Sequence, residues 1–254
     1  MNASATFRDQ AHDATFAERG FVTMPLLDEQ QLARLIAAWE ANRHSEEAGY
    51  RVTLAEGERA VRQSASDAVV AVIDEPVRAV LADHRVALAT FVVKGATGDS
   101  RVQPHTDPTL VDEPRVRSVA VWITTVDTSL ENGALWVLDG SHRMTPAFRP
   151  ATGFPQRELS DELVATHPQR QIPLPLPAGH AVFFDHALVH WSGPNESGRT
   201  RVAVAAVAAP ARERLLCCVH TPRGHDERWA VPDDYILHRS EARPRQVGEL
   251  IDRR

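Results

Sequence analysis

Beyond about residue 85 the chain breaks into short apolar or alternating runs, at 86–94, 116–126, 134–138, 172–176, 181–184, 201–209 and 215–220. Gly, Pro, Asn and Asp stand between them. Runs of this length with turn residues between them read as strands, and seven in succession suggest a sandwich or barrel, the group that holds jelly rolls and cupins. We therefore expect a mainly β fold with flanking N-terminal helices. Two of the runs alternate informatively. From Ser118 to Val126 one face carries Ser118, Ala120, Trp122, Thr124 and Val126, and the other Val119, Val121, Ile123 and Thr125. The first face, with small and polar groups around one aromatic, suits a cavity wall. The face Arg201, Ala203, Ala205, Val207, Ala209 likewise leaves room in front of one arginine.

Before residue 85 the pattern is helical. Residues 7–19 predict a helix ended by Gly20, and 21–24 a short strand. Asp28, with Gln31 three residues on, forms a capping box for a second helix whose apolar face is Leu32, Leu35, Ile36 and Trp39. Residues 45–66 are polar and show no assignable period, and a further helix is expected at 75–81. The stretch 145–169 is a long insertion of the kind that often carries function. A length of 254 residues suits one domain. Within it, 1–85 is expected to be mostly helical, 86–220 the β core and 221–254 a C-terminal extension.

Charge narrows the partners. The net charge is −6 and no basic stripe appears, so no nucleic-acid partner is expected. The 28 basic residues are 27 arginines and a single lysine, Lys94, so one arginine alone says little. No apolar run spans a membrane and the first ten residues lack a secretory h-region. Cys217 and Cys218 are adjacent, a geometry that disfavours a bridge. A reduced, cytoplasmic protein is expected.

The chemistry lies in Gln103-Pro104-His105-Thr106-Asp107, His190 and Arg201. In extended chain His105 and Asp107 point the same way and can reach one ion. With His190 they make two imidazoles and one carboxylate, the facial set of non-haem iron(II) oxygenases, which leaves three positions for a chelating co-substrate and O₂. His186 competes with His190, but the segment follows a strand and lacks the Glu of a zinc-protease helix. His186 is expected near the cavity mouth or exposed. Arg199 competes with Arg201 but reads as a turn residue on the surface. A strand-borne Arg201 beside alanines would be buried and would need a partner, which a distal carboxylate supplies. Gln103 shares the parity of His105 and is a candidate for substrate contact.

These residues resemble the phytanoyl-CoA dioxygenase family of Fe(II)/2-oxoglutarate-dependent oxygenases. The likeness runs through Phe16-Ala17-Glu18-Arg19-Gly20-Phe21-Val22, Gln103 to Asp107, Val121-Trp122-Ile123-Thr124-Thr125, Glu131-Asn132-Gly133-Ala134-Leu135, Gly140-Ser141-His142 and His190-Trp191-Ser192-Gly193-Pro194-Asn195, to Arg201. It implies a double-stranded β-helix of the jelly-roll type. It also implies iron on His105, Asp107 and His190, and 2-oxoglutarate held by Arg201 with Ser192 and Trp122 close by. His142 and the Asn132-Gly133 turn are expected to be structural. Related halogenases have a small residue in place of the carboxylate, so Asp107 favours hydroxylation over halogenation, with desaturation, epoxidation and ring formation open. The small-molecule substrates considered are a natural-product intermediate, a free amino acid and a carrier-bound acyl group. The rival readings are a cupin-type metal hydrolase or isomerase and a non-catalytic binding barrel. The segments 108–117, 145–169 and 45–66 are expected to shape the substrate pocket. Arg51, Arg62, Arg115 and Arg117 read first as solvated surface residues, with an anionic substrate as the other reading.

Overall fold

In the computed structural model, residues 5–43, 48–151, 156–238 and 243–253 are described. Parts of the 45–66 and 145–169 segments and of the C-terminal extension thus lie outside the described residues. Helix α1 (Gln10–Arg19) is capped by Asp9, whose side chain accepts from the His12 N–H, and ends at Gly20, whose φ of 81° permits the left-handed stop. Strand β1 (Phe21–Pro25) follows. Helix α2 (Glu29–Asn42) starts at Asp28 with the expected capping box to Gln31. Leu35 and Trp39 are buried, but Ile36 is 40% exposed, so the apolar face is narrower than the sequence pattern suggested.

Between α2 and the core lie a short strand, β2 (Tyr50–Val52), and a 3-10 turn, Thr53–Ala55. Then comes α3 (Arg59–Val80), far longer than the helix expected at 75–81. Its buried residues recur every three or four positions, but the first of them are Arg62, Ala65 and Ser66. Polar groups hid the stripe. Arg62 is buried because its guanidinium donates to the carbonyls of Leu237 and Gly57, and Ser66 because its Oγ accepts the Ala89 N–H.

Strands β3 (His84–Lys94), β4 (Val102–His105), β5 (Val119–Thr124), β6 (Leu135–Leu138), β7 (Gln171–Leu174), β8 (His180–Asp185), β9 (His190–Ser192) and β10 (Arg201–Pro210) build the core, with α4 (Gln156–Thr166) between β6 and β7. They form two sheets, one ordered β1-β8-β5-β10-β3-β2 and one β4-β9-β6-β7, with antiparallel pairing throughout. A third sheet, β11 (Leu215–His220), β12 (Asp226–Val231) and β13 (Glu249–Arg253), makes up most of the C-terminal region. The fold is the double-stranded β-helix, with N-terminal helices against the larger sheet.

Alternation sorts the residues as expected. Val119, Val121 and Ile123 face the helices, packed with Val69, Ile73, Leu35 and Phe91. Ala120, Trp122 and Ala203 face the other sheet, with Leu135, Val137 and Phe184. Neither Cys217 nor Cys218 is in a disulfide. Among the described residues no helix is long and apolar enough to cross a membrane.

Candidate metal and co-substrate site

Strands β4 and β9 pair so that His105 stands opposite His190, with ring centroids 4.2 Å apart. Each imidazole is held by nearby backbone. Nδ1 of His105 donates to the Gln103 carbonyl at 2.8 Å, and Nδ1 of His190 to the Leu188 carbonyl at 3.0 Å. A carbonyl only accepts, so each Nδ1 carries a proton and Nε2 is the ring nitrogen left for a metal. Asp107 follows at the end of β4, its N–H donating to the His186 carbonyl at 2.9 Å. Ligand atoms of His105, Asp107 and His190 all lie within 4.8 Å of one another. Burial and the neighbouring His105 push His190 down to about 4, so the ring is neutral, the form that ligates. Burial alone would raise Asp107, but the surrounding His190, His186, His105 and Arg149 outweigh it and hold the carboxyl below its ordinary value. Two imidazoles and one carboxylate brought this close together are a donor set that suits iron(II).

Arg201 opens β10 and is 2% exposed. Its Nη2 donates to the Gly133 carbonyl at 2.7 Å and its Nε points at the Asn132 carbonyl at 3.4 Å. The guanidinium carbon stands 5.4 Å from the Trp122 ring centroid. Nη1 is buried with no partner. Burial draws the group down to about 10, which still leaves it charged at neutral pH. A charged donor left unsatisfied in the interior is costly, and a carboxylate is the acceptor whose shape matches it. Beside it, in register, stands Lys94, fully buried, its Nζ donating to the Gly193 carbonyl at 2.6 Å and to that of Ser100. Burial, with Arg201 nearby, brings Lys94 down to about 7. Asn195 closes the turn before β10 by donating to the carbonyls of Lys94, Gly95 and Arg199.

A cavity of about 450 Å³ holds His105, Asp107, His190, Arg201, Ser192 and Trp122 on its wall. Gln103 and Arg117 are not on it. The β4–β9 register shifts between Val102 and His105, which breaks the alternation, so Val102 lines the cavity and the Gln103 side chain is exposed. Arg117 is exposed and paired with Asp185 at 3.2 Å. Of the two expectations for His186, exposure is not met: it is 2% exposed, lines the cavity, and its Nδ1 meets the Ser118 hydroxyl at 3.0 Å. Arg199 is on the surface. His142 packs structurally, with Nε2 3.2 Å from the Ala17 carbonyl. The Asn132-Gly133 turn does more than turn, since both carbonyls face Arg201. Sequence reasoning also missed Arg149. It forms a buried pair with Glu113 and donates from Nε to the Asp107 carbonyl at 2.9 Å. Its only signal was a position in the long insertion.

A jelly roll with three such ligand positions and a buried cation in the same cavity defines the class of iron- and 2-oxoglutarate-dependent oxygenases. The family model for phytanoyl-CoA dioxygenase (PhyH) matches residues 16–203, and the chain belongs to that family. Phytanoyl-CoA dioxygenase domain-containing protein 1 of Rattus norvegicus is 32% identical over 123 residues, a stretch covering 46% of this chain and 42% of that protein. The match thus spans less than half of this curated relative. Among solved structures, the non-heme alpha ketoglutarate dependent carbocyclase SnoK from nogalamycin biosynthesis superposes with a TM-score of 0.59 at 19% identity, covering 82% of this chain and 86% of SnoK. The epimerase SnoN, in complex with Fe3+, alpha ketoglutarate and nogalamycin RO, gives 0.56 at 22% identity, covering 81% and 85%. At such identities the likeness is one of fold.

Proposed function

We propose that this protein is an iron(II)- and 2-oxoglutarate-dependent dioxygenase that hydroxylates an unactivated C–H bond of a small organic molecule. His105, Asp107 and His190 are the metal ligands, and Arg201 binds the distal carboxylate of 2-oxoglutarate with Ser192 and Trp122 beside it. When bound, iron, 2-oxoglutarate and O₂ supply the oxidation, with succinate and CO₂ as by-products. The chain's own residues do the rest. The carbonyls of Gln103 and Leu188 fix the two imidazoles, and the Asp107 carboxylate partly balances the ion. Phe184, Trp122 and Leu135 line the cavity and keep it dry. The reaction needs no general base, and none is assigned. We treat residues 1–254 as one domain and take the protein to act in the cytoplasm, in keeping with its adjacent cysteines that form no disulfide.

The observation that carries this reading is the partnerless Nη1 of Arg201 in the cavity that holds the ligand triad. A metal hydrolase or isomerase on such a barrel would need an activated water and would have no use for this arginine. A non-catalytic barrel would not need three ligands. The test is calorimetric titration of 2-oxoglutarate into the protein under argon, with and without iron(II). Saturable binding that requires the metal supports the proposal. Metal binding with no 2-oxoglutarate binding contradicts it and favours the hydrolase.

A further inference from the structure

The proposed co-substrate chemistry uses one end of the cavity. Six charged or imidazole side chains line it: Lys94, His105, Asp107, His186, His190 and Arg201. All belong to that end. Three are the ligand set, His186 gives its carbonyl to the Asp107 N–H, and Lys94 and Arg201 stand opposite each other on β3 and β10. Among the described residues the rest of the wall carries no charge. Its apolar part includes Leu54, Leu88, Leu110, Leu216, Tyr235 and Ile236.

The Thr90 and Thr109 hydroxyls on this side are used within the protein. Thr90 Oγ1 lies 3.0 Å from Thr53 Oγ1 and accepts the Leu54 N–H. Thr109 donates to the Ala147 carbonyl and accepts from the Arg149 N–H. The arginines that hinted at an anion are engaged away from the cavity. Arg51 pairs with Glu56 at 2.6 Å, Arg62 holds two carbonyls, Arg115 lies 3.9 Å from Asp112 and Arg117 pairs with Asp185. A carboxylate, phosphate or ammonium brought against this wall would lose its water and gain no partner.

We infer that the substrate is an uncharged, predominantly apolar small molecule, selected by a wall made of Leu54, Leu216, Tyr235 and Ile236. A free amino acid or an acyl group whose charged part enters the cavity is excluded. The inference rests on the proposed oxygenase reading for the other end of the cavity. Three of the four wall residues come from the C-terminal sheet and the helical turn Tyr235–His238 that follows β12, beyond the stretch 16–203 that the family shares. Selectivity is thus set by a part of the chain outside the shared core.

A matched pair of fluorescent probes tests this: neutral N-phenyl-1-naphthylamine and its 8-sulfonate. Both are titrated into full-length protein loaded anaerobically with iron(II) and 2-oxoglutarate, and the visible absorption of the same samples is recorded. The neutral probe is expected to bind at least tenfold more tightly than the sulfonate. Ile236→Arg should reverse that preference, weakening the neutral probe and tightening the sulfonate about tenfold. Leu54→Arg, on a different segment, should do the same if the first variant folds poorly. Equal binding of the two probes, or neutral binding unchanged in both folded variants, overturns the inference while an intact iron–keto acid band leaves the oxygenase reading standing. Selective neutral binding without that band supports the apolar wall and overturns the oxygenase reading instead.

Discussion

Arg201 and Lys94 face each other across β10 and β3, and their environments differ in a way that each can be tested for. Arg201 keeps its charge and lacks a partner on Nη1. Removing one side of a buried charge-assisted pair costs about 2–5 kcal/mol. Arg201→Ala should therefore weaken 2-oxoglutarate binding by roughly 30-fold or more, measured by calorimetry, while circular dichroism stays unchanged. Lys94 has a folded pKa of about 7 against an ordinary 10.5. Across that interval the unfolded chain holds a proton that the folded chain has released. Lys94 thus makes stability rise with pH from about 7 to 10.5, and its burial costs most below about 7. Urea melts at pH 7 and pH 9 should show wild type gaining stability relative to Lys94→Met. Parallel behaviour of the two would contradict a buried charge. Arg201 was legible in the sequence because small residues surround it on one strand face. Lys94 was noticed only as the sole lysine, since nothing in a strand-end lysine says that two carbonyls will hold it.

Elements position these residues, and the turns do so as much as the strands. Gly133 has a φ of 77°, and a Cβ there would lie 2.8 Å from Cδ of Lys94 and 2.9 Å from the Gly193 carbonyl. Gly133→Ala should cost at least about 1–2 kcal/mol of stability. It should also weaken 2-oxoglutarate binding, because the Gly133 carbonyl holds Arg201. The sequence marks this turn as tight but does not show that its carbonyls face a cation. The Glu113–Arg149 pair joins the loop after β4 to the insertion before α4, with side chains 4% and 1% exposed. Because Arg149 also grips the Asp107 carbonyl, Glu113→Ala should destabilise by about 3–5 kcal/mol and lower metal affinity as well. A thermal melt with a parallel iron titration checks both; a loss of stability with unchanged metal affinity would confine the pair to a structural role. The same limit on legibility explains α3. Its stripe begins with Arg62 and Ser66, whose burial depends on the Leu237 carbonyl and the Ala89 N–H, partners far away in sequence.

At the scale of the molecule, the two-sheet core was legible because the chain obeys alternation. Inward and outward faces of β5 and β10 separate two apolar clusters as the sequence indicates. The candidate triad was legible for a related reason, since an extended His-X-Asp puts both groups on one side. What was not legible depends on long-range closure. Strands β9, β12 and β13 are short or charged, and β12 is held by Arg228 bonding to Asp252 and Asp112. The substrate wall from Leu216 to Ile236 exists only once that sheet folds over the cavity. The central claim is that His105, Asp107 and His190 hold an iron to which 2-oxoglutarate binds through Arg201. It is tested most directly by adding iron(II) and 2-oxoglutarate to the metal-free protein under argon and recording the visible spectrum. The account predicts a weak charge-transfer band, abolished by Asp107→Ala because losing a ligand should cost at least the ~10–100-fold in affinity that losing an outer partner does. Absence of the band in correctly folded wild-type protein, or its persistence in Asp107→Ala, would contradict it.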